Sequence, residues 1–189
     1  MKLFYGVMLA FSLIGSGCVA TYRDFPEDAL LKKPAPGTCN VMYYNVKRFN
    51  ILDMGGYNKL QTIFRNAGLC KKMEAVDANP GKGLYVEVVA NWKPLTLPAL
   101  IFGYASLSTL TLLPAWTTND GYLVKYNVYV DENKMETFNY EITRKAGLWI
   151  GLLPFAWINL FTYNEEDAFE ATANQFVIDA RRYLASPGL

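Results

Sequence analysis

Three thiols, Cys18, Cys39 and Cys70, are the most reactive side chains of a 189-residue chain that contains no histidine. Without an imidazole, neither Ser-His-Asp nor Cys-His catalysis can be assembled, and a zinc or iron centre loses its commonest ligand. Cys39 and Cys70 have no histidine to draw out a thiolate, so a nucleophilic role is not expected of them. In an oxidising compartment such a pair favours a disulfide over two buried free thiols. A loop of that length would stabilise by roughly 3–4 kcal/mol in the chain-entropy picture.

The carboxylates and glycines offer little more. Glu165, Glu166 and Asp167 are consecutive, so they spread around a helix start and complement its dipole. Gly55-Gly56 lacks the Gly-Lys-Ser/Thr that completes a phosphate loop and reads as a helix-start spacer. Tyr43, Tyr44 and Tyr57 could stack on a sugar or an aromatic ligand, although strand tyrosines are common in cores. No pair of carboxylates is placed for glycoside hydrolysis. No catalytic residue, metal or cofactor is expected.

Cys18 stands in a different context. Met1-Lys2 is a positive start, Leu3 to Ile14 an apolar run, and Gly15-Ser16-Gly17 a small-residue stretch before the cysteine. Together they read as an export signal over residues 1–17. The apolar run is shorter than the ~20 residues of a spanning helix. Gly15-Ser16-Gly17-Cys18 resembles the lipobox of bacterial lipoproteins, with Gly15 where a leucine is usual. The resemblance implies cleavage before Cys18 and attachment of acyl chains (diacylglycerol, palmitate) to its sulfur. Val19, in place of an aspartate, implies the outer membrane, on its periplasmic side.

With Lys2 removed, 17 basic residues face 17 acidic ones, so no charge surplus points to nucleic acid. The remaining roughly 170 residues suit one domain. Residues 18–38, with Pro26, Pro34, Pro36 and Gly37, read as a lipidated N-terminus and linker that would span at most about 65 Å. Residues 39–189 read as a single α/β domain. Strands are expected over 40–49, 71–78 and 84–92, and helices over 57–67 and from Glu165 onward. A hairpin places Tyr122, Val124, Tyr126, Val128 and Val130 opposite Phe138, Tyr140 and Ile142, joined by residues 131–134. The C-terminal helix should bury Phe169, Ala173, Phe176, Ala180, Tyr183 and Leu184.

Two apolar segments, 94–118 and 146–163, contain no charged residue and flank the hairpin. They should therefore emerge at one pole of the domain. Leu113, Pro114 and Trp116 in the first, and Trp149, Leu153, Pro154, Phe155 and Trp157 in the second, are the candidate interaction or membrane-contact residues. Three placements are open: completing the core over the sheet, forming an exposed protein-binding surface, or dipping into a bilayer with the tryptophans at its interface. Pro154, Pro98 and Pro114 argue against a plain spanning helix.

The expected fold is α+β, a five-stranded mixed sheet with two helices on one face and the two apolar segments at one pole. Its element order resembles small α/β periplasmic lipoproteins, including the curli-export pore lipoprotein and the outer-membrane activators of penicillin-binding proteins. The expected role is non-enzymatic: an assembly or accessory subunit of the envelope, held to the membrane by acyl chains on Cys18, with an envelope protein or further copies of itself as partner. The alternative is a small-ligand or lipid-binding module with a cavity between the sheet and the apolar segments.

Overall fold

The computed structural model describes residues 18–32, 39–47, 55–66 and 69–185. The export signal and lipobox residues 15–17 lie outside the described residues. The elements, in chain order, are β1 (Cys18–Arg23), a 3-10 turn (Glu27–Leu30), β2 (Val41–Val46), α1 (Gly55–Asn66), β3 (Lys72–Ala75), β4 (Leu84–Lys93), α2 (Leu97–Ser108), β5 (Ala115–Val130), β6 (Asn133–Leu148), a 3-10 segment (Ile150–Phe161), α3 (Glu165–Asp179) and α4 (Arg181–Leu184). The fold is α+β, with one six-stranded mixed sheet in the order β1-β6-β5-β4-β2-β3 and three main helices.

Two expectations need correction. The sheet has six strands, not five, because the first part of the expected linker is β1, paired antiparallel with β6 from Cys18↔Leu148 to Arg23↔Thr143. Val19, Thr21 and Tyr22 are strand formers, and the prolines that suggested a linker lie beyond them. The hairpin strands are also longer than the alternation of Tyr and Val indicated. Residues 115–118 and 146–148, expected in the apolar segments, are strand.

The chain forms two compact units, and β5 and β6 run through both. The larger comprises residues 24–93, 121–142 and 165–189. β2 pairs in parallel with β3 and β4, and β4 pairs antiparallel with β5. The β5–β6 connection is only Asp131-Glu132, both at positive φ. Such a two-residue turn matches strand twist. Asp131 exchanges hydrogen bonds with Gly83, its backbone N–H donating to the Gly83 carbonyl and its Oδ1 accepting from the Gly83 N–H at 2.8 Å.

α1 and α3 cover one face of this part of the sheet. Phe64 of α1 and Phe176 of α3 both pack against Tyr126, the latter stacked at 4.5 Å between ring centroids. Tyr122 meets Phe169 edge-on at 4.9 Å. The expected stripe Phe169, Ala173, Phe176, Ala180 and Leu184 is buried, and Tyr183 is half-buried. Cys39 and Cys70 form a disulfide with Cα atoms 4.8 Å apart.

Glu165 does more than complement a helix dipole. It is buried, its Oε1 accepts from the Gly56 N–H at 3.0 Å and its Oε2 from the Tyr122 hydroxyl at 2.9 Å. It thereby ties the start of α1 to β5 and α3. Gly56 is no mere spacer, since a Cβ there would stand 2.3 Å from the Phe169 ring.

The described residues of the smaller unit are 18–23, 94–120 and 143–164. Pro98 opens α2 after Thr96, where a missing N–H costs nothing. The helix stops at Thr109, and Leu110 and Thr111 follow at φ of 52° and 65°. For a β-branched residue that backbone is strained. The turn is held by the Ile150 N–H, which donates to the Thr111 carbonyl at 2.9 Å, and by the Trp149 indole N–H on the Leu112 carbonyl at 3.2 Å. Asp120, its side chain fully buried, accepts from Thr117 Oγ1 at 2.9 Å and pairs with Arg144.

Candidate functional site

α2 is built the wrong way round for water. Ser106 is fully buried, and Ala99 and Ala105 are half-buried, while Leu97, Leu100, Ile101, Phe102, Tyr104 and Leu107 are exposed. A helix at a protein surface normally turns its large apolar residues inward. The turn after α2 continues the pattern with Leu110 (83% exposed), Leu112 and Leu113.

The 3-10 segment adds the other half. None of its side chains is buried, and Pro154 inside it removes a backbone donor that a regular α-helix would use. Phe155, Trp157, Leu160 and Phe161 are exposed, the last two by 82% and 80%. Among the described residues, every exposed large apolar side chain except Leu31, Met135 and Ile178 lies in the smaller unit.

The sequence-derived contact residues fall on this surface. Leu113, Trp116, Trp149, Phe155 and Trp157 are exposed, Pro114 and Pro154 are exposed, and Leu153 is half-buried. Trp116 stacks on Phe102 at 5.3 Å, and Trp157 meets Phe161 edge-on at 6.1 Å. Seven of these eight side chains are exposed and none is buried. The two segments do meet, through the Thr111–Ile150 and Leu112–Trp149 hydrogen bonds. Sequence reading missed Leu97, Ile101, Tyr104, Leu107, Leu110, Leu160 and Phe161. The absence of any charged residue over 97–113 and 150–161 was the signal that could have found them.

Cys18 belongs to the same unit. Its thiol is unbridged, half-buried, and pushed to a higher pKa by burial, which Arg144 partly opposes. Asn159, in the 3-10 segment, clamps the β1 backbone on both sides of Val19: its Nδ2 donates to the Cys18 carbonyl at 2.8 Å and its Oδ1 accepts from the Ala20 N–H at 2.9 Å. Thr162 Oγ1 adds a bond to the Ala20 carbonyl at 3.1 Å, and the Tyr22 N–H donates to the Tyr163 carbonyl. An amide side chain thus does for an edge strand what a neighbouring strand would do. It also fixes Cys18 next to the exposed apolar segment.

Charge returns along the β1–β6 ladder. Thr21 pairs with Lys145, Tyr22 with Arg144 and Arg23 with Thr143. At about 3.4 Å per residue, the first of these lies roughly 10 Å from the Cys18 end.

Two clefts lie among the described residues. One of about 80 Å³ lies between Pro98, Phe102 and Trp116, well short of the ~300 Å³ at which ligand pockets begin. Another, of about 280 Å³ in the larger unit, has Tyr44, Tyr57, Gln61 and Asp77 on its walls. Tyr44 is committed to the core, stacked on Phe64 at 5.4 Å, and the Tyr57 hydroxyl accepts from Gln61 at 2.7 Å. Among the described residues no three metal-binding side chains come together, and no helix is long and apolar enough to cross a membrane. No protein-family model matches the sequence, and no curated protein matches it.

Proposed function

We propose that this chain is a non-enzymatic lipoprotein of the bacterial envelope. Cys18 carries the acyl anchor, and the protein acts as an assembly or accessory subunit at the outer membrane, facing the periplasm. One observation carries the reading. The unit that contains Cys18 exposes the large apolar side chains of α2, of the following turn and of the 3-10 segment, with no charged residue in any of the three. Exposed apolar patches larger than a few hundred Å² mark contact surfaces. Each such side chain returns roughly 1–3 kcal/mol when it leaves water completely. The two apolar segments gather at one pole because both leave the same hairpin end, as the bonds between residues 111–112 and 149–150 support.

The test is the mass of the mature N-terminus purified from a Gram-negative host, combined with separation of inner and outer membranes. The expected result is a chain that starts at a triacylated Cys18 and sediments with outer membranes. A mature chain with an unmodified Cys18, or one cut elsewhere, would remove the anchor from this reading.

A further inference from the structure

We propose that the α2–3-10 surface is seated in a lipid monolayer, with α2 and the 3-10 segment in the outer part of the acyl region. This deepens the function proposed above, and rests on it only for which leaflet is entered. The occupant is lipid because of how the surface is composed. A non-obligate protein interface is little more than half apolar and ends in a polar rim with hydrogen-bonding groups. Here residues 94–118 and 146–164 contain no charge, and α2 turns Leu97, Leu100, Ile101, Tyr104 and Leu107 outward while Ser106 is buried. Large apolar residues outward and small residues inward is the arrangement of a helix whose solvent is hydrocarbon.

The depth is set by the same residues. α2 has 12 residues and is about 18 Å long, short of the ~30 Å hydrocarbon core. α2 is therefore accommodated within one leaflet. Trp116, Trp149 and Trp157 are all exposed on this surface, and indoles prefer the level of the headgroups. Arg23 and Lys145, which follow along the β1–β6 ladder after the uncharged Cys18 end, stand where phosphate groups would be met. Acyl chains on Cys18 would enter the same leaflet, because Asn159 holds its carbonyl against the 3-10 segment.

The experiment uses the chain from residue 18 with Cys18→Ser, exported behind a cleavable secretory signal, so that no acyl anchor contributes. It is mixed with phosphatidylcholine vesicles with or without brominated acyl chains. Flotation is measured for the otherwise unsubstituted chain, and tryptophan fluorescence in a Trp92→Phe background. The protein is expected to float with the vesicles and to be quenched by the brominated chains. Phe102→Glu with Leu107→Glu should lower partitioning at least about tenfold and leave the Cys39–Cys70 disulfide and circular dichroism unchanged. A monomer that neither floats nor is quenched overturns the proposal. So does a defined oligomer that does not float, which assigns the surface to further copies of the chain. The N-terminal mass tests the anchor independently, so loss of one reading is visible without loss of the other.

Discussion

The two units use the same kinds of residue to opposite ends. In the larger, Phe64, Tyr122, Tyr126, Phe169 and Phe176 are sealed from water, together with nearly all the buried apolar side chains among the described residues. Among the described residues of the smaller, only Tyr22 and Ala115 are buried apolar residues, and Leu, Ile, Phe and Trp stand in solvent. Hydrophobicity alone would place both sets inside. What separates them is periodicity. Apolar residues of the larger unit alternate with polar ones along strands, or recur on one helix face, so a polar side is left for water. The segments 94–118 and 146–164 leave no such side. A region with no polar face cannot cover itself, and its stability in water depends on what it meets.

Substitution of one aromatic ring in each unit tests that contrast most strongly. Phe176→Ala removes a fully buried ring stacked on Tyr126 and next to Phe64 and Phe138. The expected cost is about 3–5 kcal/mol in urea unfolding. Phe102→Ala removes a ring that is 46% exposed and touches Trp116, and should cost less than about 1 kcal/mol. Equal losses would mean that the smaller unit has a core of its own and would end the comparison.

The disulfide gives the next largest effect, and it is confined to the larger unit. It closes a separation of 31 residues and lies beside the Lys71 N–H bond to the Cys39 carbonyl. Changing both cysteines to serine should lower the unfolding free energy by about 3–4 kcal/mol, measured with and without reductant on the parent chain. Vesicle binding by the folded fraction should not change. If binding falls in step with the disulfide, the apolar surface depends on the larger unit's integrity.

Legibility in the sequence follows the same division. α1, β2, β4, the hairpin and α3 were readable because burial on one side imposes a period, and Leu60 and Phe64 or Val86 and Val88 display it. The Cys39–Cys70 pairing was readable because few other partners existed. β1 was not, because six residues with Val19, Thr21 and Tyr22 could not be told from the proline-rich stretch that follows. Its pairing partner lies more than a hundred residues away on β6. Glu165 was misread as a dipole partner only. Its two acceptor bonds come from Gly56 and Tyr122, contacts that no local pattern encodes. At the candidate site the apolar composition was legible. The outward orientation of α2 and the Asn159 clamp were not, since both depend on which face the tertiary structure leaves open.

The smallest effect concerns pH, and it rests on one ion pair of the larger unit. Glu87 on β4 pairs with Lys47 at 2.5 Å and accepts from Asn127 Nδ2 at 3.0 Å. Burial raises its pKa, but the bonds from Lys47 and Asn127, with the more distant charge of Lys134, outweigh that and hold it below the ordinary glutamate value. A carboxylate with a depressed folded pKa contributes stability above its unfolded pKa of about 4.3, which is lost as pH falls through the lower folded value. Lys47 is shifted upward, mainly by its bond to Glu87, so its contribution fades only at strongly alkaline pH. Because the Lys47 side chain is 53% exposed, the pair should be worth less than about 1 kcal/mol. Glu87→Gln should therefore flatten the acid limb of unfolding free energy against pH by that amount. Vesicle partitioning should stay constant from pH 5 to 8, because α2, the turn that follows it and the 3-10 segment carry no charged residue. A pH-dependent partition would show that charge, and not apolar area, sets the contact.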